Sequence, residues 1–499
     1  MKRILGQPRR MEDYIYRFRS ARALLENYQE LQKQSIYFAK LEELNDPMEG
    51  FKDIFWSGDD IVWGNLFRHY IQCMAHAFFF LCIAQEEHDL TWDMIPVLDA
   101  RPERLTDELR VLHDEALSEV LSQSELSECV QRIAARVQPV RRNELEFYLR
   151  NVHELAVPCV ARVFARRKVH PPFLGVDEAI ENAKSKLAKV ADSVHMVNLI
   201  EEGSSSGEHA SERLFASLNE AMKQVALIDK YNGIFDASKR NSGFVFLSFP
   251  EQYVRNIERL VYPEWYTACF SKDFHNSAVW GTYGDRHQGV CLKFRVKKES
   301  EWSGLTLNRV CGWSSVTGAT KGDVPHPLLP VTYQSKFVAI DFFRSLGGVS
   351  APVLNRDWHR SQDGRVSICD FGGDFSEEKR DDFWKAFMVS ATTKLKDWEY
   401  EQEYRLVLYG NILDFSDKAD RVANYDFADL EGIIFGLNTT DADKLAIMKI
   451  IDEKCQQHQR EDFKFYQAYY EHATGRIEAT ELGHLKVILS KVASGAVSA

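Results

Sequence analysis

The sequence has no Cys-x-x-Cys pair; its nine cysteines stand scattered among 499 residues. No Cys/His spacing fits a zinc site and His-Glu-x-x-His is missing, so no metal is expected. Scattered thiols suit a reducing compartment, which makes a cytoplasmic location the expectation. There is no Gly-x-x-x-x-Gly-Lys-Ser/Thr loop and no Gly-x-Gly-x-x-Gly after a strand, which removes the common phosphate-cradling motifs. A Gly-x-Ser-x-Gly string surrounds Ser205 within Gly203–Gly207, but it lacks the preceding strand of a nucleophile elbow and reads as a flexible linker. The opening MKRILGQPRRMEDY holds no apolar run of the signal-peptide kind. The most apolar segment, Cys73 to Ala84, is too short to span a bilayer and contains His76, so it reads as a buried helix and no membrane partner is expected. A basic excess is lacking too. The 62 Lys and Arg against 74 Asp and Glu give a net charge of −12. That argues against coating a polyanion and leaves a local basic groove open.

What is present is the composition of an ordinary globular protein, 45% hydrophobic and 27% charged, long enough for two or three domains. Tyr14–Ser20 alternates large apolar and basic residues, as a strand does, with Tyr14, Tyr16 and Phe18 on one face and Arg17 and Arg19 on the other. Ala21–Lys33 reads as helix and Ser35–Ala39 as strand. Leu41–Gly50 follows, with an Asn-Asp-Pro turn at Asn45 and Asp46. From about Ile61 to Phe235 helical periodicity dominates. Strand patterns return at Gly243–Phe249 and Trp265–Ser271, then Gly289–Phe294 and Glu431–Gly436. Phe337–Leu346, Glu377–Thr393 and Thr440–Cys455 read as helix, and Asn355–Asp374 as an exposed loop. The expectation is an α+β fold with an antiparallel or mixed sheet. Its core would be split between residues 1–60 and 241–455, with an α-helical insertion at 61–240 and a mostly helical C-terminal segment at 456–499.

Two stretches carry candidate chemistry. In the first, Trp280-x-x-Tyr283-x-x-x-His287-x-Gly289 packs aromatics, an imidazole and glycines into a few turns. Trp280 suits a core position as well as a stacking one, and a Gly-flanked loop is where His287 would be exposed and useful. In the second, Trp398–Tyr409 reads as one strand with Glu399, Glu401, Glu403 and Arg405 on a single face. Three carboxylates in a row are tolerable in solvent or opposite cations. They are therefore either an exposed strand face or a Glu401/Glu403 pair held at a cleft. Arg17 and Arg19 are the natural complement. Each is either a bidentate donor for phosphate or carboxylate, or a salt-bridge partner of the Asp46/Glu49 turn or the Glu row.

Four blocks in order resemble the domain-of-unknown-function 2971 family, which is similar to abortive-infection proteins of the AbiGi kind. They are Tyr16-Arg17-Phe18-Arg19-Ser20; Ile36-Tyr37-Phe38 followed by Leu44-Asn45-Asp46-Pro47-Met48-Glu49; Cys269-Phe270-Ser271 followed by Trp280-x-x-Tyr283 and His287-x-Gly289-Val290-Cys291; and Lys394, Trp398 and Tyr400-Glu401-x-Glu403-Tyr404-Arg405. Arg17, Phe18 and Met48 depart from the pattern. The likeness covers roughly 14–60 and 243–440 and is in turn similar to ADP-ribosyltransferases. It implies a small split-sheet core consuming NAD in a bacterial anti-phage or toxin effector. On it, Arg17 or Arg19 grips the NAD phosphate or ribose, and Tyr283 or Trp280 stacks on nicotinamide. Glu403, with Glu401, holds the ribose hydroxyl and stabilises an oxocarbenium-like transition state. Asn45, Asp46, Ser271 and His287 complete the implied cofactor site. The acceptor would be a protein or nucleic acid, and the trigger a phage component. An NAD glycohydrolase, a non-enzymatic nucleotide or phage-component recognition module and a nucleic-acid-processing enzyme are the alternatives.

Overall fold

The computed structural model describes residues 13–483 except 47, 101–105, 204–209, 234–236, 301, 317, 371–376 and 411–412. Pro47, the linker from residue 204, residues 371–374 and the tail from 484 therefore lie outside the described residues. The protein is mixed α+β and divides into two compact units. One comprises the described residues of Met1–Phe51, Glu264–Val338 and Asp381–Ala499; the other comprises those of Lys52–Pro263 and Ala339–Arg380.

The first unit is built on an eight-stranded sheet. Its strands are β1 (Tyr14–Arg19), β2 (Trp265–Ser271), β3 (Val290–Arg295), β4 (Leu329–Pro330), β5 (Glu403–Tyr409), β6 (Leu430–Phe435), β7 (Lys464–Glu471) and β8 (Arg476–Glu481). The order is β4-β5-β2-β1-β3-β6-β7-β8. Only β6 and β7 pair in parallel; the other six pairings are antiparallel. The parallel step needs a crossover, which the helix Asp441–Gln457 supplies. Thr440 caps that helix, its hydroxyl accepting from the Asp443 amide at 3.1 Å. Central β6 is buried along its whole length, which is why its sequence, LEGIIF, runs apolar without alternation. Leu292, Phe294, Leu406 and Ile433 form the main core with Ile447 and Ile451 of the helix.

One join in this sheet matters for the site. β1 and β2 share a single registered pair, Tyr16 with Ser271. Farther along, β2 pairs instead with Ala39, the Ala39 and Thr267 amides each donating to the other's carbonyl at 2.8 and 3.0 Å. The sheet is thus open between β1 and the start of β2.

The second unit is largely helical. Helix Asp60–Ala84 begins at an N-cap, with the Asp59 carboxylate accepting from the Val62 amide at 3.2 Å. Among the described residues it is the one helix long and apolar enough by composition to cross a membrane, and most of that window is buried inside the protein. A small sheet pairs Asp53–Trp56 in parallel with Ala339–Asp341 and antiparallel with Val140–Arg141.

Several sequence expectations are corrected. The core sheet is not small, having eight strands. Among the described residues after 456 the chain is not mostly helical, since β7 and β8 form a hairpin there. Gly243–Phe249 is helical rather than a strand, because a short, continuous apolar run has no period to reveal its conformation. Phe337–Leu346 contains the strand Ala339–Asp341 instead of a helix. Asn355–His359 is a buried helical turn, not exposed loop. The helix expected over Ala21–Lys33 breaks where Gln29 turns left-handed at φ 54°.

Candidate active site

A cavity of about 730 Å³ lies at the opening between β1 and β2 and is lined entirely by the first unit. That volume suits a small-molecule ligand. Of the residues singled out in the sequence, Arg17, Arg19, Asn45, Ser271, Tyr283, Glu401 and Glu403 line it. Asp46, Trp280 and His287 do not. Asp46 shapes the turn, accepting from the Met48 amide at 2.9 Å. Trp280 is fully buried, edge-on to Phe18 at 4.9 Å, with its indole N–H donating to the Phe274 carbonyl at 2.7 Å. His287 stacks on Trp280 at 6.3 Å, the last of three consecutive left-handed residues from Asp285. Its carbonyl accepts from the Asn438 amide at 2.9 Å.

Strand β5 starts only at Glu403. Lys396–Glu401 is a 3₁₀ turn, and Gln402, left-handed at φ 43°, resets the chain before the strand. The expected alternation from Trp398 therefore fails. Glu399 stays in solvent, while Glu401 and Glu403 turn inward. Both carboxylates meet cations there, and Glu49 joins them. The Lys394 ammonium sits 2.8 Å from Glu401 Oε2 and 3.4 Å from both Glu403 Oε2 and Glu49 Oε2. Arg405 Nε donates to Glu403 Oε1 at 2.8 Å and its Nη2 to Glu403 Oε2 at 3.2 Å. The same Nη2 lies 2.7 Å from Glu49 Oε1, and Nη1 donates to the Ala391 carbonyl at 2.8 Å. All five side chains are almost wholly buried.

The two strand-end carboxylates differ in character. Burial alone would raise the Glu403 carboxyl, but the Arg405 fork and Lys394 outweigh it and hold the pKa down at about 2. Glu403 is a fixed anion. Glu401 goes the other way: burial raises its pKa, the Lys394 and Tyr283 contacts only partly offset that, and neighbouring Glu403 adds to it. The Tyr283 hydroxyl donates to Glu401 Oε1 at 2.7 Å. Ser271 Oγ donates to the Glu401 carbonyl at 3.0 Å, fixing the turn against β2. Burial, then Glu403, pushes the Cys269 thiol far up, so that sulfur is inert at neutral pH.

The two arginines of β1 also differ. Arg19 is 26% exposed and gripped by both oxygens of Glu30, with Nε 2.7 Å from Oε2. Arg17 is 7% exposed and lies over the Phe270 ring at 5.4 Å. Its Nη2 donates to the Tyr37 carbonyl at 3.4 Å and its Nη1 has no hydrogen-bond partner. Burial, then Arg19, lowers its pKa to about 10, and it stays charged at neutrality. Neither the Glu49 turn nor the Glu row pairs with it; Glu49 is taken by Arg405 and Lys394.

Glu49, Lys394 and Arg405 were not among the expected site residues, although each stands inside a quoted block. Their signal is a Lys and an Arg flanking a run of glutamates, which shows possible partners but not burial. No protein-family model, curated protein or solved structure matches this chain.

Proposed function

We propose that the cavity is the active site of an NAD-consuming enzyme of the ADP-ribosyltransferase type. The observation that carries the reading is the convergence on one cavity of a buried guanidinium with an unpartnered nitrogen, Arg17, and a Tyr-bonded carboxyl of raised pKa, Glu401. Arg17 holds a phosphate of the dinucleotide. Glu401, backed by Tyr283, faces the ribose. The bond from ribose C1′ to nicotinamide nitrogen breaks and its electron pair leaves with neutral nicotinamide. An acceptor oxygen or nitrogen forms the new bond at C1′, and its proton passes to Glu401 and on to solvent. Glu403 is the anion that keeps Lys394 and Arg405 in place around it. With water as acceptor the enzyme is an NAD glycohydrolase. The family resemblance makes a protein or nucleic-acid acceptor and a bacterial defence or toxin setting part of the proposal.

The test is nicotinamide release by purified protein, with water, protein and nucleic-acid acceptors supplied. Glu401→Gln is expected to lower release by roughly 100-fold or more, the scale of a positioned acid or base, with the protein still folded. Absence of release by the wild type with every acceptor sinks the enzyme reading. The tight pairing of Glu403 with Arg405 favours a second reading, a nucleotide-recognition module whose ion cluster is architectural. It is supported by NAD binding without turnover.

A further inference from the structure

The ion cluster at the cavity is not electrically balanced. Glu49, Glu401 and Glu403 contribute three carboxylates, and Lys394 and Arg405 two cations. With all five ionised, one negative charge is left over in a buried setting. Arg17 presents the opposite imbalance to the same cavity, a positive group with an unfilled donor and more than nine-tenths of its surface buried. Arg19, its neighbour on the strand, is neutralised by Glu30 and adds little. Lys394 cannot serve an incoming anion, since three carboxylates already surround its ammonium.

We infer that the cavity takes a dipolar ligand, with an anionic group on Arg17 and an organic cation against Glu401 and the Tyr283 ring. Each end answers a separate observation: Arg17 lacks an anion, and the carboxylates outnumber their cations. A ligand that is anionic throughout gains at Arg17 and is repelled at Glu401. A neutral one leaves both imbalances in place. In low dielectric such differences are large, and an aromatic face beside the carboxylate favours a delocalised cation. The inference rests on the NAD reading and deepens it. Oxidised nicotinamide is a pyridinium tied to phosphates, whereas the reduced dinucleotide has nearly the same shape without the ring charge.

The experiment is equilibrium binding of NAD⁺, NADH and ADP-ribose to the full-length protein by calorimetry. NAD⁺ is expected to bind at least about tenfold tighter than either of the others. The gap should close in Glu401→Gln, which keeps the side chain's shape but removes the charge, and persist in Tyr283→Phe, which keeps the charge. Arg17→Met should weaken all three ligands alike. Binding of NAD⁺ and NADH within about twofold of each other, or a gap that survives Glu401→Gln, overturns the dipolar inference and leaves the NAD reading standing. Failure of all three to bind folded wild type overturns both. Should Glu401→Gln fail to fold, the wild-type comparison alone decides.

Discussion

Arg405 is the residue on which the site's geometry hangs. Its guanidinium makes four contacts, to two carboxylates and one carbonyl, while the side chain is almost wholly out of water. Arg405→Met removes every one of these bonds and leaves Glu49 and Glu403 buried with Lys394 alone. A loss of about 3–5 kcal/mol is expected, the usual consequence of breaking a buried pair from one side, read from denaturant unfolding. Acid should produce a milder version of the same effect. The pKa of Glu403 is lowered on folding, so its contribution is complete above its ordinary range near 4.5 and fades as pH falls through about 2. These roles were only partly legible. The sequence put Arg17 and Arg19 on one strand face, as they are. It gave no means of telling that Glu30 would neutralise one and spare the other, because that depends on where a broken helix returns the chain. Likewise a single left-handed residue, Gln402, shifts the phase of the whole Glu row, and nothing in the residue type Gln announces it.

Among elements, the helix Asp60–Ala84 carries a polar pair into the apolar core of its unit. His69 Nδ1 lies 2.8 Å from the Tyr253 hydroxyl and Nε2 3.1 Å from the Val97 carbonyl. A carbonyl can only accept, so Nε2 bears a proton, and burial favours the neutral ring, with Nδ1 accepting from Tyr253. The helix Arg142–Arg166 repeats the arrangement, His153 bonding the Tyr70 hydroxyl at 2.8 Å and the Val245 carbonyl at 2.8 Å. Burial lowers both imidazoles to about 4. The unfolded chain therefore takes up protons that the folded one refuses, and stability should fall as pH drops from about 6.5 to about 4. These two rings contribute a slope of two protons, read from the midpoint shift of urea unfolding across that window, and His153→Gln should lower the measured slope by about one proton. Element type was most legible where periodicity was long, as in the helical block, and in β1, β2 and β3. It failed for Gly243–Phe249 and for β7 and β8, where short apolar or aromatic runs fit either conformation and only the neighbouring chain decides.

At the scale of the whole molecule, the second unit is assembled from two stretches of chain, Lys52–Pro263 and Ala339–Arg380. The later stretch is bound into the earlier one through aromatic packing. Phe343 meets Trp63 edge-on at 5.4 Å, Trp358 lies 4.8 Å from His69, and Asn65 Nδ2 donates to the Trp358 carbonyl at 2.8 Å. Removing residues 65–235 as though they were a self-contained insertion should therefore strip Trp358 of its His69 and Asn65 contacts. Such a protein is expected to aggregate on expression, as judged by its partition into the insoluble fraction; a soluble, cooperatively melting product would contradict this. Sequence reading found the helical block itself, but 339–380 had no feature marking its allegiance, since the contacts that claim it are more than two hundred residues away.

The Lys394 ammonium also lies over the Trp398 ring at 4.7 Å. A charge held at a set distance from an indole shifts the energy of its excited state, so Trp398 is an optical gauge for the ion cluster. Movement of Lys394 toward or away from the carboxylates is expected to shift that tryptophan's emission, a change that should vanish from the difference spectrum in Trp398→Phe.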